Sequence, residues 1–209
     1  MMALHSGPAY RIVTDRLVVR CWNPEDAPLL KAAIDASLDH LRPFMAWALN
    51  EPEDVEKKIE RIRVQRAKFD RGEDFVFGVF SADERRVIGG TGLHPRVGEG
   101  ALEIGYWIHA AEINQGYATE ISAALTRAAF EVWGVKRVEI HCDPRNLASA
   151  SVPRKLGFKC EATLRQRYHY REEEWTDMMI WTLFAGEFPL SPAARANIQA
   201  FDAAGRRMI

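Results

Sequence analysis

An acidic residue inside an apolar strand is costly unless it is paired or used. Glu103 is such a residue. It lies in the β-rich run Leu102-Glu103-Ile104-Gly105-Tyr106-Trp107-Ile108, where alternation puts Gly105 beside it. Burial raises a carboxyl pKa toward the range useful to a general base, so Glu103 is the candidate proton acceptor. The plain alternatives are a water-exposed strand edge or an arginine partner. The strand leads into Asn114-Gln115-Gly116-Tyr117-Ala118-Thr119, small and polar residues ahead of a helix. Its apolar positions are Tyr117, Ile121, Leu125, Ala128 and Val132, and Gly134 stops it. A helix beginning near Gly116 turns free N–H groups and its positive dipole end toward the turn, a setting for a phosphate or pyrophosphate. Most strand–glycine–helix junctions bind nothing, and this one matches neither the dinucleotide fingerprint nor the P-loop. A second helix start follows: Asn146 and Ser149 come after a strand over 136–143, and Lys155-Leu156-Gly157-Phe158 closes that helix. Two helix starts beside adjacent strand ends can hold one elongated ligand.

The positioning elements read as one mixed α/β domain. A strand at 17–21 precedes Asn23-Pro24-Glu25-Asp26, which caps a helix running to about Leu38. Residues 41–47 are apolar but broken by Pro43, a loop that covers the core or lines a pocket. A long helix from Pro52 to Gly72 carries Val55, Ile59, Ile62 and Phe69 on one face. Strands at 75–80 and 87–93 join the Glu103 strand in a meander, and 158–170 with 174–184 form a closing hairpin around Arg171-Glu172-Glu173. The expected division is a domain over 1–185 and an alanine-rich tail over 186–209, loosely helical from Ser191.

The combination Glu-Ile-Gly-Tyr-Trp-Ile-His (103–109), Asn-Gln-Gly-Tyr-Ala-Thr-Glu (114–120), Asn-Leu-Ala-Ser (146–149) and Lys-Leu-Gly-Phe (155–158) resembles the GNAT superfamily of acyl-CoA-dependent N-acetyltransferases. Within it the pattern is similar to the RimJ/RimL-like branch, which acetylates protein N-termini. In the family's phosphate loop, Gln/Arg-x-x-Gly-x-Gly/Ala, Gly116 and Ala118 fit, while Ile113 departs at the first position. The resemblance implies a mostly antiparallel twisted sheet of about seven strands, with acyl-CoA in a cleft between central strands. It implies acetyl-CoA as cosubstrate, with Asn114, Gln115, Gly116, Tyr117, Ala118 and Thr119 around its pyrophosphate. Trp107 and Ile108 would pair with its pantetheine arm, and Asn146 would touch it. Glu103 matches the acid of RimL-like enzymes. The tyrosine that many members use to protonate the leaving thiolate is replaced by Pro153. Ser149 is the expected substitute, with helix capping as its alternative role; Tyr106, Tyr168 and Tyr170 are weaker acid candidates. Pro153 also leaves the Ser149 carbonyl without its helical donor.

The expected reaction is direct acetyl transfer in a ternary complex to a primary amine, with a protein or peptide N-terminus as the favoured acceptor. Amino acids, polyamines and aminoglycosides are the alternative acceptors, and a non-catalytic acyl-CoA-binding module is the alternative class. Acceptor choice is expected in the loop 41–49 and the hairpin 165–175.

The chain as a whole sets outer limits. It has 209 residues, 47% hydrophobic and 27% charged, which suits a soluble globular domain. A net charge of −1 gives no basis for nucleic-acid binding. Cys21, Cys142 and Cys160 are far apart, without disulfide or zinc spacing, and suit a reducing cytoplasm. None is expected at the site as an acyl carrier. His94, His109, His141 and His169 match no ligand motif and read as sheet histidines, so no metal is expected. The first eight residues lack a signal-peptide pattern, and no apolar run reaches the ~18 residues of a membrane helix. A homodimer through the hairpin or the tail is compatible with the sequence.

Overall fold

The computed structural model describes residues 7–171 and 174–209. Among these residues nine strands form one sheet in the order β7-β8-β6-β5-β4-β3-β2-β1-β9. They are β1 (Arg11–Val13), β2 (Leu17–Cys21), β3 (Phe75–Ser81), β4 (Val87–His94), β5 (Ala101–Ile108), β6 (Arg137–Cys142), β7 (Lys159–Arg171), β8 (Glu174–Phe184) and β9 (Gln199–Phe201). Every neighbouring pair is antiparallel except β5 with β6. The helices are α1 (Ala27–Asp35), the single turn α2 (Leu38–Leu41), α3 (Val55–Asp70), α4 (Tyr117–Glu131) and α5 (Leu147–Leu156).

Strand alternation decides what each face meets. On one face Val19, Phe77, Leu102, Ile104, Val138 and Ile140 pack under α4 and α5 in the main core. On the other, Val18, Phe80 and Val87 meet Leu30 and Ile34 of α1 and Ile62 of α3. The second face carries a row of glycines under flat rings. A Cβ at Gly78 would strike Phe80 and Trp22, one at Gly90 would strike Trp107, and one at Gly92 would strike His94.

Two sequence expectations need correction. Among the described residues the sheet has nine strands instead of about seven, because two three-residue strands, β1 and the edge strand β9, extend it. Such strands are too short for alternation to mark them. The stretch expected to be a loose helical tail instead makes two 3₁₀ turns and returns as β9, pairing with β1. Ala193, Ile198 and Ala200 bury completely or nearly so. Their alanine-rich composition suits close packing as well as it suits a helix. Glu172 and Glu173 of the closing hairpin and the first six residues lie outside the described residues.

Candidate active site

β5 pairs with β4 from Gly89 to His94, but with β6 only over Ala101–Glu103. Past Glu103 the far edge of β5 has no strand partner among the described residues, while β6 continues along β8 to Cys142. A cleft of about 710 Å³ opens in this split and runs toward the helical side wall. Trp107 and Asn146 line it, whereas 114–119 make the turn beyond Ile108. In that turn Asn114 and Gly116 have positive φ (62° and 81°), which asparagine tolerates and glycine adopts freely. Gly116 is the N-cap of α4.

Glu120, in the first turn of α4, would by itself repel an anion there. It is held back by Arg16, whose Nε donates at 2.7 Å, and by Thr14 Oγ1, which donates at 2.5 Å. Arg16 also donates from Nη1 to the Gln115 carbonyl (3.1 Å) and lies over the Tyr117 ring, 4.4 Å from its centroid. No sequence motif marks Arg16; only the β1–β2 turn brings it to the loop.

Toward the α1 face, the vertex of the split collects titratable groups. Arg96 donates from Nε and Nη2 to both oxygens of Glu103, at 2.8 and 2.6 Å. Burial pushes the Glu103 pKa up, but the Arg96 hydrogen bonds and charge outweigh it and hold the carboxyl below its ordinary value. The rise expected from burial alone is therefore reversed. Beside it in parallel register is Glu139, which takes Arg137 Nε at 2.7 Å and His141 Nε2 at 2.7 Å. His141 Nδ1 stands 3.6 Å from Glu103. Directly across from Glu103, His94 bonds through Nδ1 to Asp74 Oδ1 at 2.6 Å. Two of the four histidines expected to be plain sheet residues thus line the cleft. His169 stacks on Trp175, and His109 caps a 3₁₀ turn.

Toward the α5 face, Tyr106 reaches Ser149. Its hydroxyl lies 3.2 Å from the Ser149 carbonyl and 3.0 Å from Ser149 Oγ. Pro153 explains the first contact: lacking an N–H, it leaves that carbonyl free within α5, and the phenol supplies the donor. Asn146 Oδ1 accepts from the Ser149 amide at 3.0 Å, the cap expected of it. Burial drives the Tyr106 pKa well above its usual value. Cys142 also lines the cleft, where no cysteine is expected as an acyl carrier. Burial pushes its thiol up to about 11, so it is held protonated and weakly nucleophilic at neutral pH.

The outer wall is formed by the two segments expected to govern acceptor choice. Phe44, Met45 and Trp47 line one side, and Arg167, Tyr168 and Tyr170 of the long hairpin the other. Trp47 packs edge-on against Trp107, with centroids 6.2 Å apart. The loop is fixed from below: Lys58 and Glu51 are fully buried and paired, and Arg42 donates to the Glu51 carbonyl at 2.8 Å. Among the described residues no group of three or more His, Cys, Asp or Glu side chains is arranged to hold a metal.

A sheet split at a parallel pair, with a helix N-terminus at its mouth and a wall of two crossing segments, is a cleft for a long ligand and a second reactant. Residues 16–159 match the acetyltransferase (GNAT) domain model, so the chain belongs to that acyltransferase family. It is 33% identical over 115 residues to the protein named "Probable N-acetyltransferase YjcK" of Bacillus subtilis (strain 168), covering 54% of this chain. The chain spans 63% of that relative's length, somewhat under two thirds. It is 26% identical over 184 residues to the [Ribosomal protein uS5]-alanine N-acetyltransferase of Escherichia coli (strain K12), covering 84% of this chain and 91% of that one. Mycobacterium smegmatis RimJ, solved in complex with CoA-disulfide, superposes with a TM-score of 0.76 at 24% identity. That match covers 86% of this chain and 87% of that one.

Proposed function

We propose that this protein is an acetyl-CoA-dependent N-acetyltransferase acting by direct attack in a ternary complex, on the N-terminal α-amine of a protein or peptide. The observation that carries the proposal is the split at Glu103, with the turn 114–119 at its mouth. The free amides at the start of α4 suit the pyrophosphate of CoA, and Arg16 offsets the Glu120 carboxylate in the first turn of that helix. The unpaired edge of β5 around Trp107 and Ile108 suits the amide groups of pantetheine, in the manner of an added strand. A thioester brought to the vertex has Ser149 and Tyr106 on one side and Glu103 on the other.

The residues then take separate roles. Ser149, backed by the Tyr106 hydroxyl, protonates the departing thiolate, which needs only modest help because thiols ionise near pH ~8.5. Glu103 stays ionised at neutral pH through Arg96, and its negative charge draws the acceptor ammonium to the vertex. A carboxylate held below its ordinary pKa is a weak store for a proton, so attraction is its stronger contribution. The high thiol pKa of Cys142 supports direct transfer over a covalent acetyl-cysteine.

The name of the uS5-alanine relative supports a protein N-terminus as acceptor. The experiment is incubation with acetyl-CoA and a panel of peptides, polyamines and aminoglycosides, with products read by mass. Acetylated peptide α-amine is expected. Acetylation of small amines alone would refute the acceptor, and tight acetyl-CoA binding without any product would point to a binding module. In Glu103→Gln the acceptor KM is expected to rise while acetyl-CoA affinity holds.

A further inference from the structure

The carboxylate at the vertex is ion-paired, so the proton of the acceptor ammonium needs another destination. We propose that His94, held by Asp74, is the general base of this site, which rests on the acetyltransferase reading above. Asp74 accepts at Nδ1; burial pushes its pKa up, but the His94 bond and nearby charge outweigh this and keep it ionised. An ionised carboxylate can only accept, so Nδ1 carries the proton and Nε2 carries the lone pair. Among the described residues no hydrogen-bond partner stands against Nε2, and the ring lines the cleft. It lies over Gly92 and Gly105: Nε2 is 2.5 Å from where a Cβ on Gly92 would sit and 3.4 Å from one on Gly105. Gly105 is two residues past Glu103, the last residue β5 pairs with β6, and on the same face, so Nε2 lies at the vertex where the amine and thioester would meet. Base and orienting carboxylate within hydrogen-bond reach, the latter away from the reactants, is the arrangement that makes an imidazole a proton acceptor.

The step balances. An ammonium N–H bond breaks and its proton moves to Nε2, leaving imidazolium beside Asp74. The freed nitrogen lone pair forms the C–N bond to the thioester carbon, and the C–S bond breaks with its electrons on sulfur. Sulfur takes a proton from Ser149, which is replenished by the second proton the nitrogen loses; the third stays on the amide. His94 returns its proton to water.

The titratable groups around this imidazole are Asp74 before β3, bonded to it, and Glu103 on β5, opposite it and paired with Arg96 after β4; His141 on β6 and Arg167 and Tyr168 on β7 line the same cleft, Glu139 on β6 is bonded to His141, and Lys68 of α3 acts on Asp74.

The test uses the full chain, acetyl-CoA and an alanine-terminated peptide. His94→Asn is expected to lower kcat by about 10²–10⁴-fold with acetyl-CoA affinity unchanged, and to remove the acid limb of the kcat profile. Asp74→Asn, a positioning variant, is expected to give a smaller loss and a displaced limb. Free imidazole should partly rescue His94→Gly. Wild-type kcat and profile in a folded His94→Asn would overturn the proposal. If wild-type protein acetylates no amine, the acetyltransferase reading fails separately. Nitrogen-15 NMR of the histidines then still decides on the base: a proton on Nδ1 of His94 supports it, and a proton on Nε2 overturns it.

Discussion

Gly92→Ala perturbs the His94 base without altering any titratable group. The backbone of β4 accepts an alanine, since Gly92 has no positive φ. The new methyl, however, would lie 2.5 Å from His94 Nε2, 2.6 Å from Cε1 and 3.1 Å from the Phe75 carbonyl. To reach ordinary contact the imidazole must retreat by roughly 1 Å. Asp74 holds the opposite side of the ring at 2.6 Å. The ring therefore either loses that bond or turns Nε2 away from the vertex. A displacement of ~1 Å in a catalytic group costs on the order of 10²-fold in rate. Overpacking costs about 1–3 kcal/mol, which lowers Tm by roughly 2–4 °C per kcal/mol in a chain of this size, so the fold should survive. The assay is kcat against pH beside a thermal melt. Gly105→Ala is the contrast, because its Cβ meets Nε2 at 3.4 Å, an ordinary contact that leaves the ring in place. Full kcat in Gly92→Ala, with a melt showing the methyl accommodated, would mean that the position of the His94 ring does not matter to turnover.

Other expectations follow from the same geometry. Ser149→Ala should lower kcat by up to about 10²-fold, and Tyr106→Phe by less, since the phenol acts through Ser149; steady-state kinetics of the two variants and their combination reads the coupling. Cys142→Ser should keep kcat within a few-fold and leave no acetylated enzyme in mass spectra, because the native thiol is held protonated. Lys58→Met removes the buried partner of Glu51, and urea unfolding should show a loss of ~3–5 kcal/mol. Arg61, 3.4 Å from the same carboxylate, keeps the loss toward the lower end.

Legibility in the sequence depended on how local each signal was. The turn 114–119, the α4 stripe and the Asn146 cap are local, and the structure forms each where chain-neighbour chemistry predicts. Pro153 foretold a free carbonyl at Ser149, although nothing local could say that Tyr106 fills it. The vertex was much less legible. Arg96 and Asp74 are ordinary surface-loop residues in sequence; only the register His94↔Glu103 brings Arg96 to the carboxylate, and only the β3–β4 register Phe75↔Leu93 sets Asp74 beside His94. The pKa of Glu103 therefore moved opposite to the reading from burial, because its partner was not visible. Gly92 and Gly105 reveal their purpose only once a ring is seen lying across them. The β9 edge escaped because pairing with β1 spans nearly the whole chain.

The most direct measurement is mass analysis of an alanine-terminated peptide after incubation with the protein and acetyl-CoA, quantified against free CoA released. One acetyl group on the α-amine per CoA released is expected, formed only when both substrates are present, with no acetylated enzyme. Transfer through an acetylated cysteine, or no acetylated amine in any acceptor class, would contradict this expectation.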